Sequence, residues 1–165
     1  MKLKLIALGH NQPRWVNDGV NEYAKRFPAE WPFALLELKP EKRAASRSTE
    51  IVLALEAERI RAQLPKQAIT IALDERGEQL TTRGLAEQLN GWSRAAPYAT
   101  FVIGSADGLD ATFKANAQFR FGLSRLTLPH GLVRIFLVEQ LYRALSLLSG
   151  QIGRASCRER VYSSV

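Results

Sequence analysis

The chain carries a single cysteine, Cys157, among its 165 residues, so neither an internal disulfide nor a cysteine-based metal cluster can be built from it. Long apolar runs are also missing, and no stretch approaches the ~20 residues that a membrane helix needs. The opening Met1-Lys2-Leu3-Lys4-Leu5-Ile6-Ala7-Leu8-Gly9 has a charge inside its apolar stretch and reads as a strand, not as the core of a secretion signal. Together these absences point to a cytoplasmic protein. The familiar phosphate-binding signatures are absent too. No Gly-x-Gly-x-x-Gly follows the first strand, and no Gly-x-x-x-x-Gly-Lys-Ser/Thr occurs anywhere, which argues against a conventional dinucleotide-binding dehydrogenase and against a P-loop nucleotidase. There is no internal repeat and no internal domain boundary.

What is present suits one globular domain. Hydrophobic residues make up 46% and charged residues 24% of the chain, close to the globular averages of about 45–50% and 25%. A chain of this length can bury a sizeable core without disulfides or metal. The formal net charge is +7; without residues 151–165, 20 basic and 15 acidic residues leave +5. A modestly basic surface is compatible with a polyanionic partner but does not identify one.

Hydrophobic periodicity sets out an alternation of strands and helices. Lys2 to Gly9 reads as a strand and turn, and Trp15 to Phe27 as a helix with Val16, Val20, Tyr23, Ala24 and Phe27 at helical spacing. Pro32 to Leu38 is a second strand, followed by a polar, basic loop from Lys39 to Ser48. Thr49 to Leu64 is predicted to be an amphipathic helix capped by Ser48 or Thr49, with Ile51, Leu55, Ile60 and Leu64 inward. Ala68 to Leu73 is a continuous apolar run, as in a strand covered on both faces, and Asp74-Glu75-Arg76-Gly77 breaks it. Thr81 to Trp92 is a third helix, Ala99 to Ile103 another buried strand, and Asp110 to Ala117 a short helix. Gly122 to Leu128 reads as a fifth strand and Leu132 to Leu148 as a long helix. This order implies an α/β fold, a parallel sheet with helices on both faces. The last helix is apolar almost all round, so it is either a central core helix or part of a dimer interface.

In open parallel sheets, ligands bind beyond the carboxyl ends of the strands. That singles out the turns after Leu73 and Ile103 and the segment Leu123 to Leu128. Ile103-Gly104-Ser105-Ala106-Asp107-Gly108 places two glycines after a buried strand, either to admit a ligand to the backbone or to form a plain tight turn. His130, in Leu128-Pro129-His130, reads as a base or RNA contact, or as a capping or packing histidine. Arg134 and Arg143 sit on an otherwise apolar helix, where each needs a partner or a ligand; Glu139 can pair with Arg143 at helical spacing. Lys39, Lys42, Arg43 and Arg47 suit phosphate contacts as well as an ordinary solvated loop.

A further layer comes from the ordered set of short blocks. These are Pro13 and Trp15; Glu22-Tyr23 with Arg26-Phe27; Lys42-Arg43; Ala72-Leu73-Asp74; Ile103-Gly104 with Gly108-Leu109; Leu126-Thr127-Leu128-Pro129-His130; and, most specifically, Leu132-Val133-Arg134 with Glu139-Gln140-Leu141-Tyr142-Arg143-Ala144. In this order they resemble the RlmH family of small SPOUT methyltransferases, which methylate N3 of a pseudouridine in large-subunit ribosomal RNA. The similarity runs from residue 1 to about 150. It implies a SPOUT-type parallel sheet with a deep C-terminal trefoil knot, a homodimer, and S-adenosylmethionine as methyl donor, with no metal. It further implies a donor site at Leu73, Gly104, Leu123, Ser124, Arg125, Leu126, Thr127 and Leu128. Arg143 and His130 would act as positioning or electrostatic groups beside the reacting base, and Lys42, Arg43 and Arg134 would face a large-subunit rRNA within the ribosome.

Two departures stand out. The family's turn commonly has a second glycine where this chain has Ser105. Family members also close on a short tail with His-Pro-Tyr-His or a variant, whereas residues 151–165 here have no apolar period and read as vector-derived sequence, expected to be disordered. The tail's role does not transfer to Tyr162. The competing reading is a module that binds donor and ribosome without turnover because that tail is replaced.

Overall fold

The structure, a computed structural model, describes residues 1–150; the expected foreign tail at 151–165 lies outside the described residues. The elements run β1 (Lys2–Leu8), α1 (Arg14–Ala24), β2 (Phe33–Leu38), α2 (Thr49–Gln63), β3 (Ala68–Glu78), α3 (Thr82–Ala95), β4 (Tyr98–Ile103), α4 (Ala111–Asn116), β5 (Phe119–Phe121) and α5 (His130–Leu148). Three helices start on side chains that accept an otherwise orphaned backbone N–H. Ser48 accepts from Ile51, Thr81 from Gly84 and Asp110 from Phe113.

The five strands form one parallel sheet in the order β2-β1-β4-β3-β5. The period of two along each strand divides the core between its faces. Leu3, Leu5 and Ala7 of β1 join Phe101 and Ile103 of β4 in a cluster with residues of α1, α3 and α5. Ile6 and Leu8 join Val102 in a second cluster, with Ala57 and Ile60 of α2 and Phe113 of α4. Helices therefore cover both faces, which explains why the central strands read as continuous apolar runs.

α5 packs on the sheet between α1 and α3. Leu137, Val138, Leu141, Ala144 and Leu145 are buried, while Leu132 (43% exposed) and Phe136 (42%) face outward beside Trp15 of α1. An apolar surface all round the helix thus has three covered sides and one outward stripe. Among the described residues no helix is long and apolar enough to cross a membrane.

The structure differs from the sequence expectation at three elements. α2 turns Val52, Glu56, Ala57 and Ile60 inward and leaves Ile51 52% exposed; its apolar residues are spread round the helix, so spacing alone did not select the buried stripe. β3 does not end at Leu73. Its pairing with Phe121 slips from Leu73 to Glu78, so residues 74–77 form an irregularity and the strand resumes beyond it. At that crossing a Cβ on Gly77 would stand 2.6 Å from the Gly122 nitrogen. β5 is Phe119–Phe121, and Gly122 to Leu128 is not a strand. There the Ser124 hydroxyl accepts from the Leu126 N–H at 2.9 Å, a local bond that competes with ladder pairing.

Candidate functional site

The irregularity in β3 after Leu73, the turn that closes the carboxyl end of β4 and the non-strand segment after β5 converge on one cavity of about 560 Å³. That is within the usual range of roughly 300–1,000 Å³ for small-molecule sites. Leu73 and Asp74 supply one wall and Ile103 to Leu109 another; Leu123, Ser124, Leu126, Thr127 and Leu128 form the third, and His130 and Val133 of α5 complete it. A second, more open groove of about 430 Å³ is lined largely by polar groups, among them Arg76, Glu78, Lys114 and Arg120. The first cavity is the less open and the more apolar of the two, and so the better suited to a purine-bearing ligand.

The Gly104 turn is shaped by its backbone. A Cβ on Gly104 would run into the Gly108 carbonyl and stand 2.9 Å from the Leu109 nitrogen, so only glycine lets the turn close this tightly. The Gly108 N–H donates to the Ser105 carbonyl at 2.9 Å, and Gly108 has a φ of +85°.

His130 opens α5 directly after Pro129. Its Nε2 lies 2.9 Å from the Gly104 carbonyl oxygen, which can only accept, so Nε2 carries the proton and donates. Nδ1 is then the bare nitrogen; it is buried and has no hydrogen-bond partner. Burial, and next the Arg134 charge, hold the imidazole pKa below its ordinary value, which keeps it neutral. His130 therefore braces the Gly104 turn from α5.

Arg134 is fully buried. It donates to Glu37 of β2 and, at 2.8 Å, to the Gly9 carbonyl after β1, tying α5 to two strand ends. The structure thus places Arg134 in the interior, not on an RNA-facing surface. A guanidinium without exposed area, already held by a carboxylate and a carbonyl, has no path to a phosphate in this arrangement.

The other expected residues separate into two groups. Of the donor-site residues, Leu73, Gly104, Leu123, Ser124, Leu126, Thr127 and Leu128 line the cavity, whereas Arg125 is exposed and does not. Lys42 is exposed on the loop before α2. Arg43 is half-exposed and leans on the Gly104 turn, donating from Nε to Asp107 at 2.6 Å and from Nη2 to the Ser105 hydroxyl at 3.2 Å. Arg143 pairs with Glu139, as its spacing predicts. It lies 13 residues beyond His130 on the same helix, or about 20 Å away at 1.5 Å per residue. One chain does not bring these two residues together.

Three contributors were not singled out from sequence. Glu37 partners Arg134, Glu56 is buried behind Ser105, and Asp74 in the cavity wall pairs with Arg120 at 3.1 Å and Lys114 at 3.6 Å. Glu56 is one of several glutamates along α2, and only the helix phase distinguishes it. The buried arginine did imply a carboxylate partner, but not which one.

The profile of a family described as "Predicted SPOUT methyltransferase" matches residues 1–152. A Ralstonia nicotianae protein named ribosomal RNA large subunit methyltransferase H is 53% identical over 147 residues, covering 89% of this chain and 94% of its own length. A Ralstonia pickettii protein of the same name is 54% identical over the same coverage. Among solved structures, a "probable methylase family protein" from Haemophilus influenzae Rd KW20 superposes with a TM-score of 0.53 at 13% identity, over 91% of this chain and 68% of that one. Identity that low speaks for the fold alone.

Proposed function

The chain belongs to the SPOUT methyltransferase family, and on that footing we propose that it transfers the methyl group of S-adenosylmethionine to large-subunit ribosomal RNA. The position we assign is N3 of a pseudouridine, on the assembled ribosome in the cytoplasm. The observation that carries this reading is the convergence of the β3 irregularity, the β4 turn and the 122–128 segment on one half-open, partly apolar cavity. The relatives' names support the RNA class.

The residues present fit the donor. Leu73, Ile103, Leu123 and Leu128 offer apolar contact for an adenine. Beyond Gly122 the segment has left the sheet, so its backbone groups are not consumed by a ladder and suit a purine edge. Gly104 and Gly108 both line the cavity and have no side chain, so main chain is what their turn offers a ligand. When bound, S-adenosylmethionine supplies an electrophilic methyl group on a sulfonium.

N3 of a pseudouridine carries a weakly acidic imide proton. Methylation at N3 would require that proton to be given up to water, so groups of the protein that favour the anionic base would accelerate it. His130, neutral and engaged with Gly104, serves as a positioning residue for the donor turn. Arg143 is the cation we assign to the developing negative charge. It reaches the cavity only if a second copy supplies it, and the outward stripe of Trp15, Leu132 and Phe136 supports a homodimer through α1 and α5. The C-terminal trefoil knot belongs to the same proposal. The close passage of Gly122 against Gly77, with the Gly122 N–H donating to Glu78 at 2.9 Å, supports a threaded crossing there.

The test is transfer of labelled methyl from S-adenosylmethionine to ribosomes that lack the modification, with the product nucleotide mapped. Labelled 3-methylpseudouridine in large-subunit rRNA is the expected product. Donor binding without transfer to any ribosomal RNA would overturn the proposal in favour of a binding module.

A further inference from the structure

Ser105 stands on the donor turn where a second glycine would be ordinary for the resembling family, and its side chain is not idle. It is 9% exposed. Among the described residues only Asn11 and Gln67 are non-glycines with positive φ, so the Ser105 backbone accepts a side chain without strain. Its hydroxyl donates to Glu56 Oε2 at 2.7 Å and accepts from Arg43 Nη2 at 3.2 Å. Both capacities of one hydroxyl are thereby used.

Glu56, 1% exposed, accepts with its other oxygen from the Glu41 N–H at 3.0 Å. Arg43 also grips Asp107 of the same turn. The loop over 39–48 is thus fastened to the turn through the Glu41 main chain and the Arg43 side chain, and the Ser105 hydroxyl sits where the two fastenings meet. Glu41 also holds Arg47 within the loop and Arg59 of α2, which ties the loop to that helix. No residue of 39–48 lines the cavity. Any effect of a cavity ligand on that loop has its shortest route through the turn, by way of Ser105 and Asp107.

Resting on the reading of the cavity as the S-adenosylmethionine site, we propose that Ser105 is a positioning residue whose hydroxyl couples the donor turn to the basic loop at 39–48. Donor binding, by fixing the turn, fixes the loop that carries the exposed Lys42. The coupling is reciprocal, because a two-site linkage acts equally in both directions. Hydrogen bonds to charged partners are the stronger class, and losing part of one on binding corresponds to donor affinity weaker by roughly three- to tenfold.

The experiment is hydrogen exchange of the full chain with and without saturating S-adenosylmethionine, for the unsubstituted protein, Ser105→Ala and Ser105→Thr. In the unsubstituted protein the donor should slow exchange at the Gly104–Gly108 turn and across 39–48. Ser105→Ala should keep the turn response and shrink the loop response to what the remaining Arg43–Asp107 pair transmits, with weaker donor binding. Ser105→Thr, which retains the hydroxyl, should restore both; a generic packing defect would not be rescued in this way. An equal loop response in Ser105→Ala, or a turn response without any loop response in the unsubstituted protein, refutes the coupling alone. If the donor protects neither segment in the unsubstituted protein, the cavity assignment fails and the coupling falls with it.

Discussion

Replacing Arg134 with methionine probes the interior ion pair that fastens α5 to the sheet. The side chain is fully buried, its carboxylate partner Glu37 is 32% exposed, and the Gly9 carbonyl depends on the same guanidinium. Breaking a buried pair by removing one partner costs about 3–5 kcal/mol. Glu37 can draw water through its exposed third, which lowers the expected loss to roughly 2–3 kcal/mol. At about 2–4 °C per kcal/mol for a chain of this size, the melting midpoint should fall by roughly 5–10 °C. Arg134 is also the second cause, after burial, of the lowered His130 pKa. Its removal should let the imidazole titrate closer to its ordinary range. Urea denaturation at neutral pH gives the first number, and an NMR titration of the imidazole gives the second. The double variant Arg134→Met with Glu37→Leu should recover part of the stability, because it leaves no carboxylate unpaired. An unchanged midpoint together with an unchanged imidazole titration in Arg134→Met would refute the coupling of this pair to His130.

Three further outcomes are expected. His130 has a folded pKa below its unfolded value near 6.5, so the unfolded chain takes up the proton first. Its contribution to stability is complete above that value and declines as pH falls through it, by at most about 1.4 kcal/mol per pH unit until the folded imidazole also protonates; urea midpoints between pH 8 and 5 should show this slope, and His130→Gln should lack it. Gly77→Ala should destabilise by about 1–3 kcal/mol or more, since its Cβ meets backbone and not a movable side chain; a wild-type denaturation curve would contradict the close passage. Arg143→Ala should leave the proposed dimer intact by sedimentation but abolish methyl transfer; a misfolded monomer would instead make Arg143 a structural residue.

The legible parts of this fold are those where local pattern and tertiary environment agree. β4 and the first part of β3 read as buried strands because both their faces are apolar, and Ser48, Thr81 and Asp110 mark helix starts through short-range chemistry. The 122–128 segment misled because Leu126-Thr127-Leu128 satisfies a strand pattern. The Ser124 bond and the cavity wall override that pattern, leaving Leu126 76% exposed. At β3 the polar Asp74 to Gly77 stretch reads correctly as a break but not as an irregularity from which pairing resumes at Glu78, because that requires Phe121 opposite. The site was legible as a set of strand ends. The roles of individual side chains were not, because Arg134 differs from Arg143 only in which side of α5 meets the sheet. Likewise, Ser105 acquires its two partners from segments about 50 and 60 residues away, a pairing that no local spacing encodes.

The most direct test of the cavity assignment is a titration of the full chain with S-adenosylmethionine, followed through its backbone amide resonances. Saturable shifts at Leu73, Gly104 and Leu123 to Leu128 are expected, with smaller ones at His130. Shifts confined to the polar groove at Arg76, Lys114 and Arg120, or none at any concentration, would contradict it.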